Sequence, residues 1–198
     1  MSTPTKLISY EDSLTMPENR LEEIVHGESR ILPPVTVFHS YVIQALYESL
    51  LAQLDRREYY IHIAGSGLGI QRNPLTYRIP DLAVYRTQAL DESATGARPG
   101  DPYVWAVPEL IVEWLPPSNR KGSVRELLAD YARIAVPEVW LLDPKPQRFE
   151  SHRFESGEIR PFETRQSGVV TPRLLPHVAV DLAELWAAFG PGGFRARH

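Results

Sequence analysis

The sequence contains no cysteine. Disulfides, thiolate zinc sites, iron–sulfur clusters and cysteine nucleophiles are therefore excluded. Long apolar runs are also lacking, since none approaches the roughly 20 residues that span a bilayer. Residues 1–10 lack the basic segment and apolar stretch of a signal peptide. Together these absences predict a cytoplasmic protein with no membrane segment.

The chain has no excess of positive charge either, because its formal net charge is −4. Nonspecific nucleic-acid binding usually needs a basic surface, so this balance counts against that class. It does not exclude a metal-dependent nuclease, whose acidic site adds negative charge. With 198 residues, of which 43% are hydrophobic, we expect one folded domain over 1–198. A short N-terminal extension and a mobile tail after Gly190 should flank its core.

Apolar periodicity predicts the order of the elements. The spacing predicts helices over 11–16, 36–54 with Thr36 as N-cap, and 181–189, and a further helix near Ser123, which has capping-box spacing with Glu126. Strands are predicted at 21–25, 29–32, 59–64, 75–85, 109–115, 139–142, 148–154 and 158–162. The glycines of 65–69 indicate a bend or bulge, and 87–102 a surface loop. This order predicts an α/β fold in which helices flank a mixed sheet.

Two acidic residues lie where the pattern expects buried strands. Asp81 follows Pro80 within 75–85, and Glu113 lies in the apolar run 110–115. A buried carboxylate costs several kcal/mol unless it is paired or binds a cation. Two carboxylates on neighbouring strands can share a hard divalent ion, which prefers oxygen ligands. The alternative for Glu113 is a strand-end glutamate paired with an arginine. Glu109, at the start of the strand and nearer solvent, is a weaker candidate for the site than Glu113.

Several segments resemble the Uma-two family of restriction endonucleases, which have the PD-(D/E)xK fold. The resemblance is carried by the run RIPDLAV at 78–84, by PELIVE at 108–113 and by VPEVWLLDP at 136–144. The same series includes Pro117-Ser118 and the residues 131–133, and the match extends to the N-terminal part with LEEIVHGE at 21–28, Pro33-Pro34 and His39. The resemblance covers roughly 10–154, and it implies a restriction-endonuclease-like fold.

The resemblance also implies a site and a reaction. Asp81 and Glu113 would be ligands of Mg²⁺ or Mn²⁺, and Glu28 and His39 accessory site residues. DNA would be the substrate. Many nucleases of this class pair to cut both strands, so a homodimer is an open expectation. The alternative for His39 is a surface or capping role in the first turn of its helix.

The chain departs from the family at the catalytic lysine. The standard pattern places this lysine two residues after the second acid, where this chain has Leu115. In the Uma-two family it usually comes from the following helix, four residues before the tyrosine that matches Tyr131, where this chain has Leu127. The lysine helps to activate water and to offset charge on the phosphate. Its loss predicts a weakened nuclease with an intact fold.

Three other cations are candidates to replace the lysine. Lys121 lies near the start of the helix and is our candidate third catalytic residue beside the two acids. Arg120 would share the face of Leu127 if the helix began early, whereas Arg125 points to nearly the opposite side. Two hypotheses follow. The protein is a metal-dependent DNA endonuclease with a degenerate site, or it is a catalytically inactive nuclease-fold binding or scaffold protein.

Overall fold

The computed structural model describes residues 7–16, 22–63, 65, 67–94, 101–115 and 121–188. The predicted tail after Gly190 lies outside the described residues, as do residues 1–6 of the predicted N-terminal extension. The helices are α1 Tyr10–Ser13, α2 Val37–Leu51, α3 Thr87–Ala94, α4 Lys121–Arg133 and α5 Leu182–Ala187. The first strands are β1 Glu22–Val25, β2 Glu28–Ile31, β3 Tyr59–Ile63, β4 Gly67–Arg72, β5 Leu75–Arg78, β6 Leu82–Arg86 and β7 Tyr103–Val104. The later strands are β8 Leu110–Trp114, β9 Glu138–Asp143, β10 Arg148–Glu155, β11 Glu158–Arg165, β12 Val169–Val170 and β13 Val180–Asp181.

A six-stranded mixed sheet forms the centre of the fold. Its order is β11-β10-β9-β8-β6-β3, and only β8 and β9 pair in parallel. Successive side chains of a strand alternate between the two faces. Thus Leu82 and Val84 join the apolar core with α2 and α5, whereas Ala83 and Tyr85 join the core on the side of α3 and α4. The predicted α/β fold of a mixed sheet between helices is confirmed.

A second sheet carries the predicted N-terminal hairpin. Its order is β2-β1-β5-β4-β7, with β4 and β7 parallel. The glycine-rich run forms part of β4, and the register shifts between Gly69 and Gln71. A Cβ on Gly69 would lie 2.5 Å from the ring of Trp105. Close backbone approach to an aromatic ring therefore explains glycine at this position, together with the bulge that the sequence predicted.

The segment 75–85 departs from its prediction as one strand. It forms β5 and β6, which belong to different sheets, and Ile79, Pro80 and Asp81 link them. Proline has no N–H to donate to a strand ladder, so the break falls at Pro80. Asp81 therefore precedes a strand instead of lying inside one.

Two further expectations are wrong. The segment 87–102 begins with helix α3, whose Ala89 and Leu90 pack against the core. Helix α4 starts at Lys121, two residues before the predicted cap at Ser123. Glu126 pairs instead with Arg30 of β2.

Helix α2 begins where the sequence places it. The hydroxyl of Thr36 accepts the backbone N–H of His39 at 3.2 Å, which caps the first turn. Val42, Leu46 and Leu50 are fully buried against the central sheet, and each such side chain contributes about 1.5–3 kcal/mol. This packing fixes the helix and therefore the position of His39. Among the described helices, none is both long enough and apolar enough to cross a membrane.

Candidate active site

The two predicted acids lie on neighbouring central segments. β6 and β8 pair antiparallel with Leu82 opposite Val112, so one step further along the register places Asp81 opposite Glu113. The backbone N–H of Trp114 donates a hydrogen bond to Oδ2 of Asp81 at 2.7 Å. The central sheet thus brings the two carboxylates together, although one precedes its strand and the other lies within its strand.

Glu113 is a buried carboxylate. It is 9% exposed, and the hydroxyl of Tyr131 donates a hydrogen bond to its Oε1. Burial raises the pKa of Glu113 well above its usual value, and the negative charge of Asp81 raises it further. The hydrogen bond from Tyr131 acts in the opposite direction. Within the described residues, the hydrogen-bond partner of Glu113 is therefore a tyrosine, and the arginine pairing that the sequence left open is not seen there.

His39 contacts the other acid. Its side chain is 11% exposed, and its Nε2 lies 2.8 Å from Oδ1 of Asp81. The imidazole stacks on the ring of Trp114, with centroids 5.2 Å apart and 26° between the planes. Both oxygens of Asp81 consequently have a partner, His39 on one and the Trp114 amide on the other. The burial and contacts of His39 do not fit the surface role considered above.

A buried ionic cluster of Glu23, Arg78 and Asp130 lies next to the acid pair. Nη1 of Arg78 contacts Oε2 of Glu23 at 2.9 Å, and its Nη2 and Nε contact Oδ2 of Asp130 at 2.6 and 3.0 Å. Oε1 of Glu23 accepts the backbone N–H of Ile79 at 2.9 Å. Burial opposes the charge of Arg78, but the two carboxylates outweigh it and raise the pKa of the arginine. The charge of Glu23 also contributes to the raised pKa of Glu113.

The ionic cluster continues toward solvent. Nη1 and Nη2 of Arg30 donate to the two carboxylate oxygens of Glu126 at 2.5 and 3.0 Å, and these hydrogen bonds lower the pKa of Glu126. Nε2 of His26 lies 3.6 Å from Oδ1 of Asp130. Glu28, which we predicted as an accessory residue, is exposed at the start of the hairpin strand β2. Its charge acts there on Arg30, and the hairpin acid that acts on Glu113 is Glu23.

Both lysine positions are occupied by packed leucines. Leu115 is 9% exposed and Leu127 is partly buried, and both belong to the apolar cluster that contains Tyr131. Lys121 is the first residue of α4, but its side chain lies outside the described residues, as does the whole of Arg120. Arg125 is exposed.

The donors of the site suit a hard divalent cation in part. Within the described ranges, no three His, Asp or Glu side chains are grouped so that they could hold a metal ion. Magnesium often takes only one or two carboxylates, with water and substrate phosphate completing its shell. Asp81 and Glu113 supply that minimum, and a cation would offset the burial and the charge of Asp81 that raise the pKa of Glu113. Glu23 is not counted as a third ligand because its charge is already neutralised by a buried ion pair with Arg78.

Sequence reasoning missed the residues that support the acids. The sequence analysis used Tyr131 only to locate the position of the family lysine, and Arg78 only as part of the motif at 78–84. Glu23 carried no sequence signal, because an acid in the short strand of a hairpin is expected to be exposed, whereas the structure buries it.

The fold and its paired acids define a restriction-endonuclease-like α/β domain. The family model of the Uma-two family, described as "Putative restriction endonuclease", matches residues 9–183. The chain therefore belongs to the Uma-two family.

Solved structures support the fold. A crystal structure from Anabaena variabilis ATCC 29413, described as "a putative nuclease belonging to DUF820", is similar with a TM-score of 0.73 and 16% sequence identity. The match covers 91% of this chain and 98% of that one. At this identity the likeness speaks for the fold alone. A comparison with curated proteins found no match.

Proposed function

We propose that this protein is a metal-dependent DNA endonuclease whose hydrolytic activity is weakened by the loss of the catalytic lysine. The observation that carries the proposal is the buried Glu113 beside Asp81. Burial and the neighbouring charge disfavour ionisation of Glu113, and a divalent cation held by both acids would remove this penalty. Membership of a restriction-endonuclease family supplies the reaction class.

The residues around the acids would have distinct roles. Asp81 and Glu113 would hold Mg²⁺ or Mn²⁺, and such an ion, when bound, orients water and polarises the scissile phosphate. His39 and the amide of Trp114 orient the carboxylate of Asp81. Tyr131 orients that of Glu113.

A second candidate function is a nuclease-fold binding or scaffold protein without activity. Leu115 and Leu127 favour this function, because both belong to an apolar cluster and occupy the positions at which an active nuclease would have its catalytic lysine. The charges of the hairpin formed by β10 and β11 also favour it. Its arginines contact nearby acids within 4 Å, which neutralises them locally, and these pairs involve Arg148, Arg153, Arg160 and Arg165.

Calorimetric titration with Mn²⁺ tests the metal site. We expect the parent to bind one ion and the variants Asp81→Asn and Glu113→Gln to lose at least tenfold in affinity. Glu109→Gln is the matched control, because Glu109 lies four residues before Glu113 and pairs with Arg86 instead. Equal affinity in all four proteins would contradict the proposal.

Cleavage of duplex DNA tests the role of the missing lysine. We expect weak cleavage by the parent with Mg²⁺ and a rate about a hundred- to ten-thousand-fold higher in Leu127→Lys, the usual worth of one electrostatic or acid–base group. Asp81→Ala is the blank. Efficient cleavage by the parent would show that the site is not degenerate. Metal binding without cleavage in Leu127→Lys would favour the binding or scaffold function.

A further inference from the structure

A buried arginine stands immediately before the segment that carries Asp81. Arg78 is the last residue of β5, and only Ile79 and Pro80 separate it from the acid. This link leaves one sheet and enters the other. Its backbone is held by a side chain of the second sheet, because the N–H of Ile79 donates to Glu23 of β1. Glu23 and Arg78 are thus both connected to the link that carries Asp81.

Helix α4 contacts Arg78 and Glu113 through two consecutive residues. Asp130 binds the guanidinium of Arg78, and Tyr131 donates to Glu113. Asp130 is connected through Arg78 to the segment that carries Asp81, and Tyr131 contacts β8 directly through Glu113. A shift of α4 relative to β5 would thus change the separation of the two carboxylates.

We propose that Arg78 is a positioning residue that sets the place of Asp81 against β8, acting through Glu23 and Asp130. Its side chain is 6% exposed, and its Nε, Nη1 and Nη2 all contact these two carboxylates. Arg78 is therefore too enclosed to touch a substrate, and it does not replace the missing lysine. The planar fork of an arginine can bind two carboxylates in fixed directions, which an ammonium group cannot do.

Amide hydrogen exchange by NMR tests the positioning without any metal. The Trp114 amide is bonded to Asp81, whereas the next amide along, that of Leu115, is bonded to the backbone oxygen of Leu142 at 2.8 Å. The ratio of these two exchange rates reports the contact of Asp81 with β8, because loss of overall stability accelerates both. In Arg78→Lys, which keeps the charge but loses the fork, we expect the Trp114 amide to exchange at least tenfold faster relative to Leu115.

Two further variants keep this test decisive. Glu23→Gln removes one partner of Arg78 but retains an oxygen for the N–H of Ile79, and we expect the same change in ratio. Glu138→Gln is the matched control, since Glu138 is a buried carboxylate bonded to Ser151 and to the amide of Arg173. It should lower the melting temperature and leave the ratio unchanged. An unchanged ratio in folded Arg78→Lys and folded Glu23→Gln would overturn the proposal, as would an equal change in Glu138→Gln.

Mn²⁺ affinity links the positioning to the site. This part rests on the proposed function, and we expect Arg78→Lys to bind Mn²⁺ at least tenfold more weakly than the parent while Glu138→Gln binds it unchanged. A parent that binds no Mn²⁺ would refute the proposed metal site, and the exchange ratio would still decide the role of Arg78. Unaltered Mn²⁺ affinity in Arg78→Lys, with a parent that does bind, would overturn the inference.

Discussion

Replacing Glu113 by glutamine should stabilise the protein at neutral pH in the absence of metal. The change removes a charge that burial and Asp81 disfavour, and the amide oxygen can still accept the hydroxyl of Tyr131. The side chain keeps its shape, so no cavity forms. Most single substitutions of buried residues destabilise, which makes a gain in stability a discriminating result.

The stabilisation expected from Glu113→Gln increases with pH. The pKa of Glu113 is raised in the folded state, whereas in the unfolded chain it is about 4.3. Between these two values the folded state holds an extra proton, so the stability of the parent falls as pH rises. The penalty is absent below the unfolded pKa and complete above the folded one. Each unit of upward shift corresponds to about 1.4 kcal/mol.

Thermal unfolding in chelator from pH 4 to pH 8 provides the assay. Burial of a polar group that is only partly compensated costs about 1–3 kcal/mol in mutational data, and 1 kcal/mol shifts the melting temperature by about 2–4 °C for a chain of this size. We therefore expect Glu113→Gln to melt about 2–12 °C above the parent at pH 8 and with it at pH 4. A variant that is less stable than the parent at pH 8, or equally displaced at both pH values, would refute the reasoning.

Three other substitutions have defined outcomes. Tyr131→Phe removes the donor that lowers the pKa of Glu113, so the upper end of the pH range over which stability falls should move upward in the same melting series. Thr36→Ala removes the N-cap of α2 and should cost about 1 kcal/mol in urea unfolding, with no loss if the cap is unimportant. Gly69→Ala places a Cβ 2.5 Å from the ring of Trp105 and should cost about 1–3 kcal/mol; a neutral effect would show that the ring can shift.

Local pattern was sufficient for the elements that follow one periodicity. The nearly continuous apolar run around Glu113 predicted β8, and the three- and four-residue spacing after Thr36 predicted α2 with its cap. Both signals arise within one segment, because burial on both faces keeps a strand apolar throughout, and burial of one face imposes the period of a helix. The same reasoning failed at Pro80, where the alternation of β5 continues into β6 although the chain changes sheets there. Periodicity reports which side of a strand is buried, but not which sheet the strand joins.

The sequence by itself identified the two candidate acids and showed that leucine occupies both positions of the catalytic lysine. Asp81 and Glu113 stand out because a carboxylate in an apolar strand needs a reason, and Leu115 and Leu127 stand out against the family pattern. Only the tertiary structure decided what surrounds them. Glu23 and Asp130 lie 55 and 52 positions from Arg78. Each looks like an ordinary surface charge until the hairpin, the sheet and α4 close on one another, and only then does burial force these charges to pair.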